Sequence, residues 1–374
     1  MHLGKFHALI NKLAVEYARD NISAQIQSVI AQLDSLAVNP GSPEVAKAFK
    51  TQVEVLRNIL SSSPLNNPYP TLAALLDSID AQQYVGDRLF QSIEDAISKN
   101  GMTPQLAASS LRELLKKVAD FYHEVTAVDN AFTRLAVEYA ELGSNEGEIG
   151  ISIPKPDGKR LLSDLAKVAK DWDKALRPFV ELADPDHDAV EVRTISSSDW
   201  QFYLVAGTTV LLTLSGAISQ LNNMLQKLVE TKKLIKQLVG QGMSEASTTP
   251  LVAEADNMLN TGTRQLAERI VNEHSPADGG RANELKTELT RSLKFIASQM
   301  ASNVTIEIRY VPPSPSDSSE GEEADQQTAL DINRLTEVAA QIERNMDILR
   351  LDSEGRALLN LPPPDDGEHN TDAQ

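Results

Sequence analysis

WQFYLVAGTTVLLTLSGAISQLNNMLQ, Trp200 to Gln226, contains no Asp, Glu, Lys, Arg or His. A bilayer span needs about 20 mainly apolar residues. The stretch is therefore either a membrane segment or the buried spine of a folded domain, and the choice decides the fold. In the membrane reading Trp200 and Tyr203 sit at one interface, and Lys227, Lys232, Lys233 and Lys236 gather at the other. In the soluble reading Trp200, Phe202, Tyr203, Leu204, Leu211 and Leu212 supply core surface, while Gly207 and Gly216 admit another backbone closely. Three features favour the soluble reading. Thr208, Thr209, Thr213, Ser215 and Ser219 dilute the hydrophobicity. Gln220, Asn222 and Asn223 shorten the apolar run to Phe202–Ile218. Ser198 with Gln201 makes a capping box directly after a strand-like segment, which predicts one helix from Trp200 to Val239. Its continuation KLVETKKLIKQL carries an apolar stripe, Leu228, Leu234, Ile235 and Leu238, among lysines. It reads as a solvated face whose charges suit the negative end of the helix dipole.

Three stretches around this helix alternate apolar and polar residues, the period of a half-buried strand. They are Gly147–Pro154, Ala189–Ile195 and Asn303–Val311, where Val304, Ile306, Ile308 and Tyr310 share one face. Helices are predicted between them over 159–177, 250–272 and 276–302. Strands and helices so interleaved predict an α+β domain at 146–312, with a small sheet of about three strands and a long central helix.

Residues 1–145 read as helices only. Apolar residues recur every three or four positions from Lys5 to Leu36, with a slip at Asp20 and Asn21. Ser42-Pro43-Glu44 opens the next helix: Ser caps free amides, Pro fits the first turn, and Glu suits the positive end of the dipole. Shorter helices are predicted over 71–79 and 83–99, and a long one from Thr103-Pro104 to about Leu142. LAVEYA occurs at Leu13–Ala18 and again at Leu135–Ala140, both on predicted helices. The flanks differ, and the echo reads as coincidence among common helix formers. The fold class predicted is thus mainly α, a helical bundle followed by the α+β domain. The Pro-, Ser- and acid-rich residues 313–327 predict a disordered linker, 328–352 a tethered helix, and 353–374 a disordered tail.

Composition narrows the function. The 374 residues carry 53 acidic against 35 basic side chains, a net charge of −18, which opposes nucleic-acid binding. There is no cysteine, so disulfides, thiolate metal sites and Cys nucleophiles are excluded. The N-terminus lacks the apolar core and cleavage site of a signal peptide, and with the missing cysteines this predicts a cytoplasmic protein. Aromatics make up only 5%, so the core must be Leu, Ile, Val and Ala.

Motifs for chemistry are scarce. Asp184, Asp186 and His187, in ADPDHDA, are the one cluster with metal-ligand character, but the Gly and closing Glu of a calcium loop are missing and the segment reads as a turn. His123-Glu124 has no second ligand three or four residues away and reads as a helix-surface pair. No phosphate loop, nucleophile elbow or H-E-x-x-H occurs. No catalytic residue, metal or cofactor is predicted. The expected function is a non-catalytic interaction or scaffold protein binding protein partners, itself included, through amphipathic helices. The alternatives are an effector whose 200–226 helix inserts into a bilayer when triggered, and a metal-dependent enzyme using residues 184–188.

Overall fold

The computed structural model describes residues 2–101, 103–154, 161–183, 190–196, 200–274, 279–313 and 326–346, together with Gly355, Leu358 and Leu359. The linker over 314–325, most of the tail, Ser198, and the cluster Asp184, Asp186 and His187 lie outside the described residues. The chain forms two compact units, Met1–Glu141 and Leu142–Gln374. It is mainly helical, with a small antiparallel sheet in the second unit.

The first unit holds α1 (Leu3–Arg19), α2 (Ile22–Val38), α3 (Pro43–Ser61), α4 (Pro70–Ser78), α5 (Gly86–Ser98) and α6 (Pro104–Arg134). The slip in the apolar pattern is a true break. Asn21 adopts a left-handed φ of 49°, a conformation Asn tolerates, and separates α1 from α2. Ser42 caps α3 as its sequence predicts, accepting the Val45 N–H at 3.4 Å. Leu13, Ile26, Val29, Leu60, Leu89 and Val118 are among the fully buried residues of one continuous core.

The long helix is shorter than the sequence predicts. α6 ends at Arg134, eight residues before Leu142. The Ala136 N–H reaches the Thr133 carbonyl and the Val137 N–H reaches the Phe132 carbonyl, with Ala136 at φ 51°. That is a Schellman stop built on Ala where Gly is usual, so the sequence carries no stop signal. The second LAVEYA copy leaves the helix here and runs back along α1, where the Ala140 N–H bonds the Gly4 carbonyl at 3.2 Å. Gly4 permits this approach, since a Cβ there would sit 2.9 Å from the Ala140 Cβ. The two copies of the repeat therefore differ in structure.

The second unit runs β1 (Glu146–Ser152), α7 (Leu162–Ala183), β2 (Glu191–Ser196), β3 (Gln201–Val205), α8 (Thr208–Gly240), α9 (Glu245–His274), α10 (Gly279–Ala301), β4 (Thr305–Val311) and α11 (Gln326–Asn345). The sheet order is β2-β3-β1-β4, antiparallel throughout. Ile151 pairs with Phe202 on one side and Ile306 on the other, and Ile149 likewise with Leu204 and Ile308. These two apolar rows face α8 and share its core.

The sheet has one strand more than predicted, and it comes from the quoted stretch. Gln201–Val205 alternates: Phe202 and Leu204 enter the helix-facing core, while Tyr203 is buried on the opposite face. A short apolar run fits a buried strand and a helix start equally well by pattern. The capping box therefore does not form, because Gln201 is a strand residue and the helix begins at Thr208. α7 also passes its predicted end. Pro178 lies inside it, and the helix continues to Ala183 because Phe179, Val180 and Leu182 are buried beyond the proline. An interior proline costs about 3 kcal/mol, which burial of those three side chains, at about 1.5–3 kcal/mol each, offsets.

The last helix is docked and not merely tethered. α11 packs on α8 and β4, with Ile342 buried in the core. Leu359, which the sequence places in a disordered tail, is fully buried in the same core.

Candidate functional site

α8 organises the second unit. Its first half supplies Val210, Leu211, Leu214, Ala217, Ile218 and Leu221 to the core. Leu212 is half-buried, and Trp200 is buried in the turn before β3. The spine expected from Trp200 is thus divided between a strand and a helix, so the uncharged helical stretch spans only 208–226. Among the described residues no helix is long and apolar enough to cross a membrane. The predicted roles of Gly207 and Gly216 need correction. Nothing lies within 4 Å of a Cβ at Gly207, and one at Gly216 meets only the Asn345 Nδ2 at 3.8 Å. Close approach occurs instead at Gly147 of β1, where an added Cβ would collide with the Leu211 side chain and lie 3.2 Å from the Ala206 carbonyl oxygen.

The second half of α8 pairs with the first half of α9 as an αα-hairpin. Leu228 shares a core with Ala255 and Leu259 of α9, and Ile235 is buried further along. The predicted stripe is only partly buried: Leu234 is 60% exposed, and Leu238 is half-buried. Lys227 and Lys236 are exposed, Lys232 and Lys233 half-buried. α9 adds Leu251, 45% exposed, and Met258, 48% exposed, with Val252 and the connecting Met243 also exposed. This end of the hairpin is therefore an apolar surface set among lysines. It lies at the far end of a 33-residue helix, about 50 Å long at 1.5 Å per residue.

Polar groups elsewhere in this unit perform structural work. On the sheet face away from α8, the Arg309 Nη2 donates to the Glu148 Oε1 at 2.7 Å, and its Nε lies 3.1 Å from the Glu307 Oε1. Both carboxylates are almost fully buried. Arg281 of α10 grips Glu181 of α7 with two parallel bonds of 2.6 Å, the strong bidentate geometry. The hydrogen bonds from Arg281 hold the Glu181 carboxyl below its usual pKa. This clamp ties the proline-containing end of α7 to α10.

In the first unit, His7 is buried between Phe132 and Tyr139. Its Nδ1 lies 3.1 Å from the Val137 carbonyl, and its Nε2 3.9 Å from Asp129. The ring thus fixes the chain that turns back after α6. His123 and Glu124 are exposed on α6. A shallow depression of about 460 Å³ is lined by Asp77, Asp80, Gln82, Gln83, Arg88 and Gln91, among others, and offers no apolar wall to a ligand.

Glu16 is 5% exposed in the first unit, and burial raises its pKa against the lowering effect of a hydrogen bond to Ser63. A carboxyl whose pKa is higher folded than unfolded contributes stability below the unfolded value, and that contribution is lost as pH rises through the folded value. Glu16→Gln is therefore expected to be more stable than wild type at pH 8, with the advantage gone at pH 4. Thermal melts at the two pH values test this, and equal differences at both would contradict it.

Among the described residues no group of three or more His, Asp or Glu gathers to hold a metal. The Thr213 Oγ1 lies 3.2 Å from the His274 Nε2, whose Nδ1 is held 2.8 Å from the Ile270 carbonyl within the same helix. The sequence reads KLVETKKLIKQL as a solvated face and does not show which residues of the stripe Leu228, Leu234, Ile235 and Leu238 are covered. The stripe's one-sided burial depends on where α9 lies. No family model, no curated protein and no solved structure matches this chain.

Proposed function

We propose that this is a non-catalytic interaction protein that holds protein partners on helical surfaces, foremost the outer end of the α8–α9 hairpin. One observation carries this reading: Leu234, Leu251 and Met258 stand 45–60% exposed at one hairpin end, where Met243 and Val252 are exposed as well. Scattered exposed apolar residues are ordinary, whereas a group on one projecting element marks a contact surface. Methionine supports the reading, since its flexible thioether adapts to different partner surfaces.

The test compares wild type with Leu234→Ser/Leu251→Ser as bait in lysate of the cells that make the protein. Exposed positions should tolerate these changes with little loss of stability. A defined set of proteins retained by wild type and lost by the variant is expected. Identical retention by both, or none by either, defeats this assignment of the surface. Flotation of wild type with anionic liposomes, abolished in the variant, would replace protein partners with a membrane.

A further inference from the structure

We propose that α11 is a resident, exchangeable ligand of a helix-binding groove between α8 and β4, and that the groove also takes an amphipathic helix of the same pattern from a partner. The inference rests on the reading that this protein works through helical surfaces, and it concerns a different one from the hairpin end.

The groove is recognisable by what occupies it. α11 packs on α8 and β4 with Ile342 fully buried in the core and Val338 and Met346 half-buried against it, and helical spacing carries the same stripe back through the half-buried Leu335 and Ile332. The spacing of three, three, four and four residues is that of a helix laid into a groove by anchor side chains. A polar contact sets the register. The Asn345 Nδ2 donates to the Ser215 Oγ at 3.0 Å, and Ser215 on α8 is fully buried. The Ser215 hydroxyl donates in turn to the Leu212 carbonyl at 2.9 Å, and the Gln341 Nε2 donates to the Asn345 Oδ1 at 2.9 Å, which fixes the amide. A polar pair inside an apolar seam selects one register among those the apolar spacing allows.

The grip is also light. α9 and α10 each place at least five residues fully inside the core, for example Leu266, Ala267, Ile270, Leu289, Leu293 and Ile296. Among the described side chains after β4, only Ile342 and Leu359 are so buried. The helix is joined to β4 through residues 312–325, so it competes from an attached position, and attachment keeps a weak ligand bound through its effective concentration. A partner helix with apolar residues at the same intervals and an amide at the Asn345 position matches both the seam and Ser215. It would gain access whenever α11 leaves.

The experiment uses full-length protein and a fluorescein-labelled peptide of residues 326–346, read by anisotropy. Wild type should bind the peptide weakly because its own α11 competes. Ile342→Asp in the protein should bind the unaltered peptide at least tenfold more tightly, and a peptide carrying Ile342→Asp should not bind it. An Ile342→Asp protein with wild-type circular dichroism and tryptophan emission that binds no tighter overturns the proposal. If that variant fails to fold, a second protein answers the question. It carries a protease site within 314–325, is cut after folding, and is incubated with an excess of labelled 326–374 segment. Incorporation of label with release of the resident segment supports exchange, and retention of the resident segment through a day overturns it. Tighter peptide binding with no partner found for the hairpin end would sustain the groove and remove only the reading of the hairpin.

Discussion

Leu211→Lys is expected to cost the second unit about 3–5 kcal/mol, the range for an uncompensated charge left in a core. Leu211 is fully buried in the first turn of α8 and lies against Gly147 of β1, so its side chain forms the seam between helix and sheet. The lysine has two ways to respond. It can lose its proton and bury a neutral amine without a partner, or keep the proton and force water into the seam. Either response opens the sheet from the helix. Burial lowers the folded-state pKa of such a lysine below its unfolded value. The penalty is then full at neutral pH and diminishes as pH rises toward 10. Both tryptophans, Trp172 and Trp200, are buried in this unit, so urea titration followed by tryptophan emission reports on it alone. Lys227→Gln, at an exposed position on the same helix, should change stability by no more than about 0.5 kcal/mol. A loss below about 1 kcal/mol for Leu211→Lys would mean that the seam is wet, and α8 could not then be the spine of the unit.

That spine shows how far the sequence could be read. Its buried, non-spanning character follows from the hydroxyl and amide residues diluting the run, and the fold class follows from the alternating strands around it. Where the helix begins does not follow. Phe202 and Leu204 fit a strand row beside Ile151 and Ile149 only because β1 lies alongside, and no local signal reveals a neighbour 50 residues earlier. The end of α6 was illegible for a similar reason. Ala136 takes the left-handed conformation without glycine, held by the turn and by the contact of Ala140 with Gly4 at the other end of the unit. Pro178 gave a clear stop signal, and burial overrode it. For the surfaces, composition located the amphipathic segments, but exposure of Leu234 beside burial of Ile235 depends on which flank α9 covers. Asn345 looks like any polar helix residue until Ser215 is found beneath it.

Arg309→Met should be the second most damaging substitution, costing about 3 kcal/mol. The figure is set at the low end because the guanidinium retains slight exposure. Its basis is the register of β1 against β4, which sets Glu148 directly across from Arg309, while Glu307 precedes Arg309 by two residues along β4 on the same face. Glu148 is 1% exposed and Glu307 4%, so the guanidinium is a charge that helps two carboxylates stand close together on a buried surface. Methionine keeps much of the side-chain volume and removes that charge. The loss therefore measures electrostatics more than packing. Protonating a buried carboxyl removes buried charge, so the deficit should shrink as pH falls toward 4. Adding Glu148→Gln and Glu307→Gln to Arg309→Met should restore at least half of the loss, because no net charge then remains to be buried. The triple variant separates two accounts of the trio. If it stays as unstable as Arg309→Met alone, the arginine acts through its stem packed on the sheet. If Arg309→Met costs under 1 kcal/mol, the trio is worth no more than a surface ion pair, and the polar face of the sheet is held by groups other than this arginine.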